Sequence, residues 1–168
     1  MPDWDSILED DGPAVWRSAR RLLGNDADAD ECFQEAFLGA LEFSRRSSVI
    51  HWRALLTRLA TARAIDRLRK RTRQGNREAP ADWEQLRQSG PLPPEQAETA
   101  ELSERLRIAL TELPAQQAEI FCLACLDQWS HQEIAGRLGI SVDSVGVGVH
   151  RARQKLQQLL AASNEVRQ

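Results

Sequence analysis

Arg63, Arg67, Arg69, Lys70, Arg71 and Arg73 crowd one short stretch of the chain, with Asp66 the single acid among them. The chemistry open to such a cluster is electrostatic, the neutralisation of a polyanion. Residues 45–77 carry 11 basic and 1 acidic side chains, while residues 1–44 carry 3 and 11, so the net charge of −3 conceals a strongly cationic block. A solvated helix face normally mixes signs, and a block of one sign reads as an electrostatic footprint for nucleic acid. The bland alternative is a merely soluble basic helix. Cys122 and Cys125 form a C-x-x-C beside Phe121, readable either as small buried apolar residues or as a metal or redox pair. No nucleophile–base pair, phosphate-cradling loop or metal cluster is visible. Gly146-x-Gly148 lies inside a helical pattern rather than after a strand, so it is no nucleotide fingerprint. The expectation is a protein without catalytic residues, metal or cofactor.

The elements that must position these residues read as helices. A hydrophobic fraction of 42% and a charged fraction of 28% are those of a folded chain, and Ala, Leu, Arg, Glu and Gln favour helix nearly throughout. Val15, Trp16, Ala19, Leu22 and Leu23 recur at helical spacing up to Gly24-Asn25. Asp26 or Asp28 is expected to cap the next helix, whose apolar stripe runs Cys32, Phe33, Ala36, Phe37, Ala40 and Leu41. Arg45-Arg46-Ser47-Ser48 breaks the pattern. A long helix from about Ile50 to Thr72 follows, with Trp52, Leu55, Leu56 and Leu59 on the apolar side of its first half. Its second half is basic around most of its circumference and is expected to project from the core.

Residues 74–100, with Gly75, Pro80, Gly90, Pro91, Pro93 and Pro94, read as a linker. Fully extended at ~3.3 Å per residue it would reach about 90 Å, enough for two modules to grip DNA sites two turns, roughly 70 Å, apart. Four further helices are expected. Leu102, Leu106, Ala109, Leu110 and Leu113 mark the first, ended by Pro114, and Ala118, Phe121, Cys122 and Cys125 mark the second. Ser130-His131-Gln132-Glu133 is a capping box for the third, with Ile134, Ala135 and Leu138 on its buried face. After Gly139 the fourth, capped by Ser141, places Val142, Val145, Val149, Ala152, Leu156 and Leu159 at steps of three and four. A short helix, a glycine turn and a longer helix with a basic end make a helix-turn-helix. The fold class is all-α: two small helical domains joined by a flexible linker.

These residues resemble the extracytoplasmic-function group of the sigma-70 family. Leu113-Pro114-Ala115, Glu133-Ile134-Ala135, Leu138-Gly139-Ile140-Ser141 and His150-Arg151-Ala152-Arg153-Gln154-Lys155-Leu156 are similar to sigma domain 4. Asp28 to Phe37 is similar to the polymerase-binding helix of sigma domain 2. Ala64-Ile65-Asp66-Arg67-Leu68-Arg69-Lys70-Arg71 is similar to the end of its promoter-contacting helix. The resemblance covers roughly residues 12–160 and implies domain 2 at 1–74, a linker at 75–100 and domain 4 at 101–168. It implies core RNA polymerase on Asp30, Gln34, Glu35 and Leu38, where an ordinary solvated acidic face is the alternative. It implies −10 promoter contact by Arg53, Arg63, Arg67, Arg69, Lys70, Arg71 and Arg73. It implies −35 contact by His131, Gln132, Ser144, His150, Arg151, Arg153 and Lys155, the two histidines being as readily bland. Trp52 either stacks on an unpaired base or packs in the core.

Departures from the family pattern are specific. Ala62 stands where an Asn is usual, and the polar segment from about Ser44 to Ser48 is shorter than the usual base-capturing loop. Gly146, Val147 and Gly148 replace the usual Lys or Arg, then Ser, then Arg. The glycines either weaken and fray this helix or let its backbone approach DNA closely.

The function implied is that of a sigma factor directing promoter recognition and transcription initiation. A degenerate sigma-like module titrating polymerase or an anti-sigma factor, and a stand-alone helix-turn-helix regulator, are the alternatives. Promoter DNA and core polymerase are the expected partners, with an anti-sigma factor a third, and the free chain is expected to be monomeric. No apolar run nears the ~20 residues of a membrane span, and the acidic start Met1-Pro2-Asp3-Trp4-Asp5 does not resemble a signal peptide. The expected location is the cytoplasm.

Overall fold

Seven α-helices and no strand form the described residues, 1–74 and 93–166, of this computed structural model. The chain divides into two units, Met1–Asp66 and Arg67–Gln168, and the division falls inside the third helix.

In the first unit, α1 (Trp4–Leu23) begins well before the apolar repeat at Val15 and runs through Pro13. Asp3 caps it, accepting from the Ser6 amide at 3.3 Å and the Ser6 hydroxyl at 2.7 Å, bonds that hold its carboxyl below the ordinary value. Gly24 ends the helix at φ 83°, a left-handed conformation that glycine adopts without strain. Asn25, not Asp26 or Asp28, caps α2 (Asp26–Ser44): its side-chain oxygen accepts from the Asp28 amide at 2.8 Å and its NH2 donates to the Asp28 carboxylate at 2.9 Å.

The buried stripe of α2 is Ala29, Cys32, Ala36 and Ala40; Phe33, Phe37 and Leu41 are only half-buried. Small residues win the interior because they let backbones approach: the Cys32 thiol donates to the Ala60 carbonyl at 3.2 Å. Ala60 belongs to α3 (Trp52–Arg73). The expectation that the basic half of α3 stands clear of a core is corrected, because Ala64, Ile65 and Leu68 are buried. Leu56, Ala60, Ala64 and Leu68 recur every four residues, and Thr57, Thr61 and Ile65 are buried in a second row beside them.

In the second unit, α4 (Pro94–Thr111) starts within the segment read as linker, with Pro94 in the first turn, where its missing N–H costs nothing. The remainder of that segment, 75–92, lies outside the described residues. Ala109, Leu110 and Leu113 are buried, whereas Leu102, expected among them, is exposed. α5 (Ala115–Phe121) runs into a π-helical turn, Cys122–Leu126. Cys122 is fully buried there, and burial pushes its thiol pKa far up, so it packs as a small apolar residue.

α6 (His131–Leu138) carries the expected capping box: the Glu133 amide donates to Ser130 Oγ at 3.1 Å and the Ser130 amide to Glu133 Oε2 at 3.0 Å. Gly139 turns the chain at φ 66°, and Ser141 caps α7 (Val142–Glu165) by accepting from the Ser144 amide at 3.1 Å. Ile120, Leu123, Ile134, Ala135, Val145 and Val149 form the core of this helix-turn-helix. Burying each of the larger side chains stabilises it by about 1.5–3 kcal/mol. Val142, expected in the stripe, is exposed, and Leu159 is half-buried. Arg105 of α4 ties down the far end of α7, donating to the Leu160 carbonyl and the Ser163 hydroxyl, each at 2.6 Å.

The two glycines of α7 turn out to be unlike each other. Gly148 is buried, and a Cβ there would lie 3.0 Å from Ile120 Cδ1. Gly146 is half-exposed, and a Cβ there meets only His131, at 3.9 Å. Gly146→Ala should therefore recover the helix-propensity gain of roughly 0.8–1 kcal/mol, and Gly148→Ala clearly less, because Ile120 must shift. Urea denaturation followed by far-ultraviolet circular dichroism measures both. An equal gain at the two positions would show that Ile120 is no constraint.

Candidate nucleic-acid interface and docking helix

The interface on α7 follows from what the helix buries. Val145, Gly148, Val149, Ala152 and Leu156 face inward. At about 100° per residue the opposite line is Asp143, Val147, His150 and Gln154, flanked by Arg151, and all five are exposed. Sequence reasoning selected His150, Arg151, Arg153 and Lys155, which are exposed, but passed over Asp143, Val147 and Gln154. The complement of the buried stripe would have found them; attention to cations hid them. Ser144 is exposed but engaged in the cap, its hydroxyl 2.8 Å from that of Ser141. Arg153 donates to Cys125 Sγ at 3.5 Å, which places its guanidinium beside the π-helical turn. His131 and Gln132, at the start of α6, are exposed, and His131 lies over Gly146, so the two helices present one continuous surface.

On α3 the candidate cations separate into groups. Arg63, Lys70 and Arg73 are exposed, while Arg67, Arg69 and Arg71 are half-buried. Arg69 donates to the Leu113 carbonyl at 2.9 Å, a bond within the second unit. Arg53 is drawn into the first unit: Nε donates to Asp11 Oδ1 at 2.9 Å and Nη2 to the Asp10 carbonyl at 3.0 Å. Its bond to α1 sets it apart from the cations further along α3. Trp52 is half-buried with its ring edge-on to Trp4, centroids 5.0 Å apart.

On α2, Asp30, Gln34 and Leu38 lie one above another at spacings of four, all exposed. Glu35 does not share that line; it is half-buried and about 100° around the helix from Gln34. The Trp16 indole N–H donates to Asp30 Oδ1 at 2.7 Å, a bond the sequence did not announce. Trp16, Leu8, Gly12 and Phe33 line a shallow apolar groove beside it. Acid, amide, leucine and groove together suit a protein surface with both cationic and apolar parts.

Among the described residues, no group of three or more His, Cys, Asp or Glu side chains is placed to hold a metal ion. No helix among them is long and apolar enough to cross a membrane. What the arrangement can do is hold phosphates, read base edges and dock on protein.

Comparison with known proteins agrees with that chemistry. The family models "Sigma-70 region 2" and "Sigma-70, region 4" match residues 7–74 and 103–156. The chain is 30% identical to the ECF RNA polymerase sigma factor SigE of Mycolicibacterium smegmatis, over 96% of its own length and 63% of that protein. It thus spans under two thirds of that relative. It is 29% identical to the ECF RNA polymerase sigma factor SigW of Bacillus subtilis, over 87% of this chain and 82% of that one. Its fold is similar to that of the sigma factor RpoE of Bartonella quintana, solved in complex with the anti-sigma factor NepR. The TM-score is 0.54 at 21% identity, covering 96% of this chain and 98% of that one. With both sigma regions matched in order along it, the chain belongs to the sigma-70 family.

Proposed function

We infer that this chain is a non-enzymatic specificity subunit that binds core RNA polymerase through α2 and directs it to promoters. One observation carries the reading. The helix-turn-helix is anchored by the buried face of α7 while His150, Arg151 and Lys155 stand exposed, in a chain that also carries the docking helix and the basic helix of sigma region 2. Residues 1–74 act on polymerase and the −10 side, 75–100 link, and 101–168 act on the −35 side. Arg63, Lys70 and Arg73 supply the exposed phosphate contacts of α3. Arg67, Arg69 and Arg71 add their charge from half-buried positions, and Arg53 braces α1.

The degenerate-module alternative is favoured only slightly by two glycines in place of DNA-contacting side chains, and of these Gly148 faces Ile120 rather than the exposed surface. An anti-sigma factor, which the Bartonella quintana protein binds, is a further partner in this reading, and the cytoplasm is where it would work.

Run-off transcription from genomic fragments with added core polymerase tests the function directly; specific initiation that depends on the chain is expected. Two variants separate its parts. Gln34→Ala with Leu38→Arg changes only exposed positions and should weaken core binding at least about tenfold without loss of helical content, measured by co-purification and circular dichroism. Arg151→Ala should weaken duplex binding evenly across sequences and lower the salt slope of the binding constant by about 1. A slope unchanged in a titration of binding against salt would remove Arg151 from the phosphate contacts.

A further inference from the structure

We propose that Val147 is a specificity-determining residue that selects thymine, through its C5-methyl group, in the −35-side duplex. The inference rests on the promoter-reading role of α7 and goes beyond it by naming a residue and the base it reads.

Val147 lies on the line of α7 directly opposite the core and is 47% exposed. Its chain neighbours are Gly146 and Gly148, so the nearest side chains on the exposed face are those one turn away, Asp143 before it and His150 and Arg151 after it. Charge along the helix is partitioned. Residues 142–149 carry one acid, Asp143, and no cation, whereas Arg151, Arg153 and Lys155 follow immediately. An acid one turn before Val147 is repelled by phosphates, so the first two turns fit over base edges while the cations behind them meet the backbone. In a helix-turn-helix the N-terminal residues of the second helix are the ones that enter the major groove.

At the floor of that groove the best partner for an aliphatic side chain is the thymine methyl; cytosine offers only a C5–H beside its amine, and adenine and guanine present mainly polar edges there. Facing a polar edge, Val147 would desolvate donors and acceptors without replacing their bonds. Facing a methyl, it removes apolar surface from water on both sides. The advantage is that of burying roughly one methyl group, about fourfold in affinity.

Replacing thymine by deoxyuridine deletes that methyl and nothing else. The full chain, assembled with core polymerase, is used to select duplexes from a random-sequence library. Each thymine on the −35 side of the enriched duplex is then replaced singly by deoxyuridine. At one position wild type should lose about fourfold in affinity, Val147→Ala should be indifferent to the same replacement, and Val147→Ile should regain the sensitivity. If no replacement costs wild type anything, or if Val147→Ala responds as wild type does, Val147 is an ordinary surface valine and the proposal fails while the sigma reading stands. If the assembly enriches no sequence and starts no transcript, the sigma reading fails and takes the proposal with it.

Discussion

The close approach of α5 to α7 is the constraint on which the helix-turn-helix half depends. Ile120 Cδ1 sits 3.0 Å from where a side chain at Gly148 would begin, and Val145, one turn earlier, and the adjacent Val149 close the same core. Because that face is filled, the rotation of α7 about its own axis is settled, and so is the line of residues it presents outward. Turning the helix by one residue would swing about 100°, exposing valines and burying charge. Two glycines in a helix interior cost about 0.8–1 kcal/mol each relative to alanine. The Ser141 cap and the buried valines offset that cost, which is why the helix starts cleanly at Val142.

The first half solves a different problem, how a helix can be cationic and packed at once. Alanine and cysteine at the seam let α2 and α3 approach closely enough for a thiol to reach a backbone carbonyl. The two buried rows occupy one side of α3, and the rest of its circumference carries the arginines. A wide stripe of leucines would have left fewer positions for charge. The acidic first helix then contributes locally: Asp11 and the Asp10 carbonyl take up Arg53, the candidate nearest the start of α3, and the other candidate cations lie further along the helix.

Much of this was legible beforehand, and the misses share a cause. Caps and turns were read well where one residue type has one geometric use: Ser130 with Glu133, Gly139, Ser141. Large apolar residues were over-read. Periodicity places Phe33, Phe37, Leu41, Leu102 and Val142 in the apolar stripes, yet none is fully buried, while Ala29, Ala64 and Thr61 are. Side-chain size is a guide to burial only where elements pack at ordinary distance; at close seams the small residue is inside, and a single sequence does not show which seams are close. The site was legible as charge but not as geometry. That Glu35 leaves the line of Gln34, that Asp30 holds the Trp16 indole, and that Gly148 faces inward all depend on which side of a helix is covered.

The distribution of charge along α7 bears on how binding would divide between affinity and selectivity. Phosphate contacts supply strength that every sequence shares and that salt erodes. Base-edge contacts supply differences between sequences. In many helices the two are mixed, since one arginine can serve either. Here they are separated along the axis: Asp143, Gly146 and Val147 precede the cations at 151, 153 and 155. With no cation ahead of residue 150 in this helix, its first two turns add little to general attraction. Their contribution is selective, set by shape and by what an exposed aliphatic group can accept against it. In the proposed function, the same separation would place the strength of DNA binding elsewhere, on the cations at the rear of α7 and the exposed cations of α3.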